Sequence, residues 1–506
     1  MGQPHFGWTI DMTPGTTEPS AAPLEGARRG PLASGSLPLC VDMDGTLLRI
    51  DTLHEAALAA FAGDPRTLLQ APGWLAAGKQ RLKAELGRRW SFDPALLPYH
   101  PEFLAWLREQ HAAGRHIVLC TAANHAVAEQ VAGHLGLFDE VIASDETRNL
   151  RGPAKAEALV ARFGERGFAY AGNDRTDLAV WRHAGEAILV GAPAALAREA
   201  EAEVRIAGSF DAPQLPLAAF VKAIRPYQWV KNALCFVPLL VSGDWLSTAG
   251  WLGAGLAAIA FCLAASSIYL LNDMTDIAAD REHARKRKRP FAAGTLPILW
   301  GLAAAPVMML AALALAGASG MLTVLLGYIA CSLLYTFGLK EKPLVDVFLL
   351  TALYCARILG GGEASGHPVS LWLLAFASFL FLSLALIKRV SEMLRVVERG
   401  GKSAPRRGYR VEDIPTLQMF GTAAVFASAI VLSLYLQSSA ALKIFANPGL
   451  LWVAVPLLLF WQCRLWLATN RGWMHDDPIL YTARDWVSWI TFGLLAVATV
   501  AARALG

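Results

Sequence analysis

Asn272-Asp273-Met274-Thr275-Asp276-Ile277-Ala278-Ala279-Asp280 ends a long apolar run, and Arg281, Arg285, Lys286, Arg287, Lys288 and Arg289 follow at once. On one helix, offsets of 0, 3 and 7 from Asp273 fall at about 0°, 300° and 340°, so the spacing predicts three carboxylates stacked on one face. Acids at the edge of hydrocarbon are costly to keep there. That cost favours a working site over a merely solvated helix end. Carboxylates that hold a hard divalent ion, beside Lys and Arg that neutralise the remaining charge, are suited to grip a polyphosphate. The basic run is also an anchor to an anionic membrane surface.

The rest of the chain places this stretch in a bilayer. The 506 residues are 55% apolar and 17% charged, with a mean hydropathy of +0.39. A soluble domain is about 25% charged, so a disordered, collagen-like or wholly soluble chain is excluded. Residues 1–212 contain no run long enough to span a membrane. Beyond residue 227, nine apolar stretches of spanning length are centred near 235, 261, 307, 328, 351, 378, 427, 458 and 493. The expectation is an all-α membrane domain of nine transmembrane helices over 213–506; the first is interrupted by Pro238. Alternate connections carry 22 Lys and Arg, against only Lys443 and Arg503 on the other side. The positive-inside rule then puts the basic face and the amino-terminal half in the cytoplasm and the C-terminus outside the inner (plasma) membrane. A transporter would show polar groups near the midplane, whereas here most polar motifs gather at one mouth.

The amino-terminal half, residues 37–212, reads differently. Leu37-Pro-Leu-Cys-Val41 is a short buried strand leading into Asp42-Met43-Asp44-Gly45-Thr46. Alternate positions at a strand end point the same way, so Asp42 and Asp44 share a pocket, and two close carboxylates call for a cation or a shared proton. Alone, such a pair also fits an acidic turn. Ile117–Thr121 is a second strand ending in a hydroxyl, Lys155 opens a helical pattern, and Tyr170-Ala-Gly-Asn173-Asp174-Arg175-Thr176-Asp177 supplies further carboxylates after a third strand. Residues 51–100 read as a small helical cap, and residues 1–36, rich in Gly, Pro, Ser and Thr, as a flexible tail with neither a signal peptide nor a myristoylation motif. The seven cysteines are odd in number and form no CxxC pair, so free thiols are expected.

This order of motifs resembles the haloacid dehalogenase-like phosphatases, across about residues 39–180. The resemblance implies an α/β Rossmann-like fold in which Asp42 is the nucleophile and Asp44 the general acid/base. Thr121 and Lys155 would hold the phosphoryl group, and Asp174 and Asp177 would complete a Mg²⁺ site with Asp42 and Asp44. Asn173 stands where many members have the first metal-binding Asp, so that role passes to Asp174 by register.

The acid-rich stretch resembles the first aspartate motif of the UbiA superfamily of intramembrane prenyltransferases. Its nearest branch is the polyprenyl-phosphate phosphoribosyltransferases, with the pattern NDxxDxxxDxxHPxKRxRP. Every stated position matches except Ala284, which replaces the first proline. Arg225-Pro-Tyr-Gln-Trp-Val-Lys231-Asn232 is similar to that branch's entry motif; Tyr335–Lys340 and Asp346–Arg357 resemble its central region. Tyr409, Asp413 and the run Met474-His475-Asp476-Asp477-Pro478 also match, although His475, Asp476 and Asp477 fit a simple loop cap as well. Where other members carry a second aspartate motif, this chain has Lys388-Arg389-Val390-Ser391-Glu392. One acid with two cations suits a second phosphorylated ligand better than a second metal pair. Asp346 and Arg357, eleven residues apart, lie on one helix face and either line a cavity or serve a structural link.

The resemblance implies Mg²⁺-dependent transfer of 5-phosphoribose from phosphoribosyl pyrophosphate to a polyprenyl phosphate. In it Asp273, Asp276 and Asp280 serve as catalytic metal ligands, and Asn272, His283, Lys286, Arg287 and Arg289 serve the departing pyrophosphate. Lys231, Asn232, Arg357, Lys388, Arg389, Glu392 and Tyr409 would complete phosphate binding. The fused phosphatase would then dephosphorylate the lipid-linked product. The alternative is a prenyltransferase joining a polyprenyl diphosphate to an aromatic or other acceptor. Partners are these substrates and membrane lipids, with no nucleic acid; homo-oligomerisation stays open.

Overall fold

The computed structural model describes residues 37–504, apart from 65, 146–147, 212–215, 399, 402–406, 439–440, 442–444, 446 and 475–476. The expected tail, the 212/213 boundary, and His475 and Asp476 lie outside the described residues. The chain divides into two compact units, Met1–Pro213 and Gln214–Gly506.

The first unit is a parallel six-stranded sheet in the order β3-β2-β1-β4-β5-β6: β1 Leu39–Val41, β2 Ile117–Asn124, β3 Glu140–Ser144, β4 Ala169–Gly172, β5 Glu186–Val190 and β6 Arg205–Phe210. Side chains alternate across a strand, and both faces of β1 are covered. Leu39 and Val41 pack with Phe103, Leu107 and Leu119, while Cys40 packs with Val118, Tyr170 and Trp181. This two-sided burial is why the strand reads as a continuous apolar run. The stretch read as a cap forms three helices, Thr52–Gly63, Thr67–Ala76 and Lys79–Arg89. Asp51 caps the first by accepting from the Leu53 and His54 amides.

The second unit is helical. Seven of its helices are long and apolar enough to cross a membrane: Thr248–Thr275, Ile298–Ala318, Val345–Ser365, Leu371–Glu398, Val411–Leu436, Gly449–Asn470 and Trp486–Ala504. The two remaining expected spans differ. Leu322–Phe337 is a 16-residue helix, about 24 Å long. The stretch near 235 is not one α-helix but a 3₁₀ segment, Pro226–Phe236, followed by a helix at Val237–Ser242. Pro238 has no N–H to donate backward, so a regular α-helix cannot run through it. The 3₁₀ segment is longer per residue and runs antiparallel along Thr248–Thr275: Trp229 Nε1 donates to Ser266 and Asn232 Nδ2 to Cys262, and Leu239 abuts Gly250. It also passes close over Val345–Ser365, where a Cβ on Gly361 would stand 2.0 Å from the Cys235 carbonyl oxygen. Glycine is required at that crossing.

Candidate active sites

In the first unit, β1 and β4 are neighbours, and the chain leaves them toward opposite edges of the sheet. Their carboxyl ends are therefore a topological switch point, where open α/β sheets place ligands. Asp42 follows β1, its N–H bonded to the Ala171 carbonyl at 3.0 Å. Lys155 Nζ, buried, donates to Asp42 Oδ1 at 2.7 Å and to the Tyr170 hydroxyl at 2.8 Å, and that hydroxyl donates to Asp177 Oδ1 at 2.8 Å. Asp44 is held from the cap side, accepting from the Thr52 amide at 3.0 Å and hydroxyl at 3.2 Å. Thr121 lies two residues beyond Leu119, the partner of Val41, with its hydroxyl oxygen accepting from the Ala123 amide at 3.0 Å.

Burial pushes the Asp42 carboxyl up to about 6, reinforced by Asp177 and opposed by Lys155. Burial, with Asp51 and Asp42 nearby, pushes Asp44 up to about 7. A carboxyl with that affinity for a proton suits a general acid near neutral pH.

The two downstream carboxylates are placed differently from the expectation. Asp174 is exposed and its oxygens cap its own turn, accepting from the Arg175 amide and the Thr176 hydroxyl. Register alone does not decide direction here, because the capping turn points Asp174 outward. Asn173 faces the acidic loop instead: Thr46 donates to its Oδ1 at 3.2 Å, and a Cβ on Gly45 would stand 2.2 Å from its Nδ2. Asp177 is buried, accepting on Oδ2 from the Asn173 and Asp174 amides at 2.9 and 3.0 Å. It braces the turn. The hard oxygens of Asp42 and Asn173, on adjacent strand ends, fit a Mg²⁺ ion in donor chemistry.

In the second unit, the acid-rich stretch is not one continuous helix. The long helix ends at Thr275, Asp276 leaves helical geometry (φ −96°, ψ 9°), and a short helix resumes at Ile277–Glu282. The break turns Asp276 away from the predicted stripe, while Asp273 and Asp280 are brought together. Arg289 Nη1 stands 3.0 Å from Asp273 Oδ1 and 2.7 Å from Asp280 Oδ2, and Arg225 Nη2 is 2.5 Å from the same Asp273 oxygen. Arg225 reaches it from a left-handed backbone (φ 54°), an unfavourable conformation for a side-chain-bearing residue. Burial raises the Asp280 carboxyl despite Arg289; burial, then Arg289, lowers the Lys286 ammonium. One guanidinium nitrogen thus stands in for a cation between two carboxylates, so their oxygens fit a hard ion, although among the described residues no three acids are gathered into a metal-holding group.

Beside this pair lies a cavity of about 340 Å³. Its lining includes Asn272 and Asp276, and it carries eight cations (Arg225, Lys231, Lys286, Arg289, Lys340, Arg357, Lys388 and Arg407) against two acids, Asp276 and Asp477. Tyr269, Tyr328, Tyr335 and Tyr354 supply aromatic wall. Asp477 joins Lys231 at 2.7 Å and Lys388 at 3.4 Å. Burial works to raise its carboxyl, but these two lysines hold it well below the usual range.

Several expected phosphate ligands stand elsewhere. Arg389 is fully buried and does not line the cavity; it pairs with Asp346 at 2.7 Å and with Glu392. Tyr409 donates to Asp346 at 2.6 Å and accepts from the Leu344 amide. Asp346 and Arg357 therefore serve different partners: a structural link for the first, the cavity for the second. Glu392 lies 4.0 Å from Arg407. Asn232 lies behind the wall, accepting from Arg357 Nε at 2.8 Å. His283 and Arg287 are exposed, and the His283 ring caps the next turn through the Arg285 amide. Each lies where the helix break or a buried ion pair, rather than sequence spacing, sets direction. Arg407 was missed; it donates to the Tyr335 hydroxyl at 2.9 Å, and its membership of a long basic loop hid it. Arg225 was visible only as part of the entry motif.

Comparison with known proteins gives a family match for each of the two units. Residues 39–182 match the haloacid dehalogenase-like hydrolase family and residues 235–477 the UbiA prenyltransferase family. The uncharacterized protein y4nM of Sinorhizobium fredii is 36% identical over 481 residues, covering 92% of this chain and 91% of its own. A decaprenyl-phosphate phosphoribosyltransferase of Mycobacterium tuberculosis is 36% identical over 299 residues, 56% of this chain and 93% of its own. A solved UbiA homologue from Archaeoglobus fulgidus bound to GPP and Mg²⁺ is 16% identical, with a TM-score of 0.43 over 56% of this chain and 99% of that one. The chain belongs to the UbiA prenyltransferase family, as a multi-pass membrane protein that carries a haloacid dehalogenase-like hydrolase domain ahead of its membrane domain.

Proposed function

We propose that the membrane domain transfers 5-phosphoribose from phosphoribosyl pyrophosphate to a polyprenyl phosphate, and that the amino-terminal domain removes the 5-phosphate from the lipid-linked product. The observation that carries this reading is the cavity lined by eight cations and two acids beside an acidic pair, a charge pattern suited to two phosphorylated ligands. The decaprenyl-phosphate phosphoribosyltransferase relatives support the choice of donor.

Asp273 and Asp280 would hold one Mg²⁺ and Asp42 with Asn173 another; bound there, the ion would neutralise phosphate oxygens as a Lewis acid. In the membrane domain the acceptor phosphate oxygen bonds to the anomeric carbon as the bond to pyrophosphate breaks. Lys286 and Arg289 take up charge on the leaving group, the term expected to dominate a transition state of oxocarbenium character. In the amino-terminal domain Asp42 attacks phosphorus and Asp44 gives its proton to the leaving oxygen. Lys155 keeps the Asp42 oxygen aimed, and water then releases the acyl phosphate. Both mouths face the cytoplasm in this reading, by the charge bias of the connections.

Purified full-length protein with radiolabelled phosphoribosyl pyrophosphate and polyprenyl phosphate should form lipid-linked ribose, and Asp42→Asn should accumulate its phosphorylated precursor. Consumption of a prenyl diphosphate with an aromatic acceptor, and none of the sugar donor, would reverse the assignment.

A further inference from the structure

We infer that the membrane cavity holds two separate anion subsites, and that the inner one, built by Lys231, Arg357 and Lys388, takes a phosphate monoester without a metal ion. The inference rests on the reading that both substrates are phosphorylated. It adds where each anion lies and which one needs the ion.

The two groups of cations sit at different depths. Asn232, which holds Arg357, is bonded to Cys262, eleven residues before Asp273 on the Thr248–Thr275 helix. Trp229, two residues before Lys231, is bonded to Ser266, seven residues before Asp273. At 1.5 Å per residue these two anchor points lie roughly 10–16 Å along that helix from Asp273, away from the acidic mouth. The inner group is coherent: the Tyr354 ring has Lys231 Nζ 5.7 Å from its centre and Arg357 Cζ 5.8 Å from it, and Asp477 ties Lys231 to Lys388.

Charge separates the groups further. At the mouth, Arg225, Lys286 and Arg289 lie against the carboxylates of Asp273 and Asp280. With those carboxylates already there, a diphosphate at the mouth is suited to a bridging hard ion. At the inner site Lys231 and Lys388 share one carboxylate, Asp477, and Arg357 has none among the described residues, leaving two positive charges. A phosphate monoester carries about −1.5 to −2 at pH 7, so it matches without an ion.

Arg357 is the decisive residue. It stands midway along Val345–Ser365 and is 5% exposed. Its partners are the Asn232 amide oxygen, the Tyr328 hydroxyl at 3.0 Å and the Leu353 carbonyl. None is a carboxylate. A guanidinium has five N–H donors, so two remain without a partner among the described residues, on a side chain that lines the cavity. A buried cation with no counter-ion at that depth is expensive, and an anionic ligand offsets the cost. Two sources share that chemistry: the headgroup of the polyprenyl phosphate and the 5-phosphate of the sugar donor.

The test is equilibrium binding to the full-length protein in nanodiscs, using polyprenyl monophosphate and phosphoribosyl pyrophosphate separately, each with Mg²⁺ and with EDTA. Wild type should bind one of them in EDTA. Arg357→Met should weaken that ligand by about 30-fold or more, the scale of a lost charge-assisted hydrogen bond in a buried site, and leave the other within about threefold. Loss of the lipid ligand identifies the headgroup as occupant; loss of the donor identifies the 5-phosphate. Asn232→Ala, which removes only the tether of Arg357, should weaken the same ligand by a smaller factor, and it stands in if Arg357→Met fails to fold. With the lipid headgroup at the inner site, Asp273→Asn should reverse the pattern, weakening only the donor; with the 5-phosphate there, Asp273→Asn and Arg357→Met should both weaken the donor and leave the lipid within about threefold. Equal retention of both ligands in the Arg357 and Asn232 variants, or equal loss of both, would overturn the division into subsites. Wild type that binds neither ligand overturns the proposed function instead.

Discussion

Both halves of this protein bury a pair of carboxylates beside a ligand site, and they keep them in opposite ways. In the amino-terminal domain a single buried lysine, Lys155, serves Asp42, while among the described residues Asp44 has only Thr52 as a donor. The pair is under-compensated, and burial pushes both carboxyls up to about 6 and 7. In the membrane domain Asp273 has two arginines and shares one of them with Asp280. Where the next atom is lipid, nearly every charge must be matched on the spot; at the carboxyl ends of central strands, a site can keep a proton in reserve for chemistry. Arg357, buried without a carboxylate partner among the described residues, departs from that rule and is informative for that reason.

The largest expected effect separates the two sites outright. Asp42→Asn should abolish phosphatase turnover, and Asp273→Asn should abolish transfer, each by about 10³-fold or more. Each should leave the other activity within about twofold, as for sites carried on separate compact units. Cross-inhibition in either variant would mean that one active site depends on the other.

Next in size is the response to losing a cation. Lys155→Met strands Asp42 in a site where it has no second cation, and breaking a buried pair costs about 3–5 kcal/mol. The amino-terminal domain of the full-length protein should then lose most of its protease resistance. Arg289→Met should cost less, because Asp273 keeps Arg225. A larger loss from Arg289→Met would break the contrast, and hydrogen exchange at β1 and along Thr248–Thr275 would show it.

The domains should also part on acidification. His100 is 3% exposed, and neither ring nitrogen has a partner among the described residues. Burial, then Arg49, lowers its pKa from 6.5 to about 4. The unfolded chain binds a proton from about pH 6.5 downward and the folded one does not until about pH 4. Stability contributed by neutral His100 is therefore present above that window and lost progressively as pH falls through it, to a limit of about 3 kcal/mol. At pH 4.5 the amino-terminal domain should be cleaved before the membrane domain, and His100→Leu should remove most of that sensitivity. An unchanged pH profile in the variant would assign acid lability to other groups.

What the sequence made legible follows the same divide. The continuous apolar run of Leu39–Val41 and the strand-end motif Asp42–Asp44 were readable, because burial on both faces makes the strand apolar throughout and strand direction fixes side-chain direction. The seven long apolar helices were readable by length alone. The 3₁₀ course of Pro226–Phe236 was not: it depends on Gly361 letting two backbones meet at Cys235, a fact about a residue 126 positions further along the chain. The single face expected of Asp273, Asp276 and Asp280 required an unbroken helix, and the break at Asp276 removed that premise. Arg389, Glu392 and Tyr409 looked like ligands because buried charge and binding charge have one composition; only Asp346, on another helix, distinguishes them.

Asn173 gives the smallest and sharpest test. Its amide lies over Gly45 and Thr46 on the strand-end loop, so that site offers one fewer formal charge to a divalent ion than a carboxylate would. Asn173→Asp is nearly isosteric and keeps an oxygen toward Thr46. It places a third carboxylate near Asp42 and Asp44, which are already under-compensated. Without the ion the variant should be slightly less stable than wild type above pH 7; with it, half-maximal phosphatase activity should need about tenfold less Mg²⁺, as expected when ligand charge increases. Asp174→Asn, at the exposed cap, should leave the Mg²⁺ requirement unchanged. If Asp174→Asn raised the requirement while Asn173→Asp did nothing, the ion would be held by the outward-facing carboxylate, and the loop would have to rearrange on binding it.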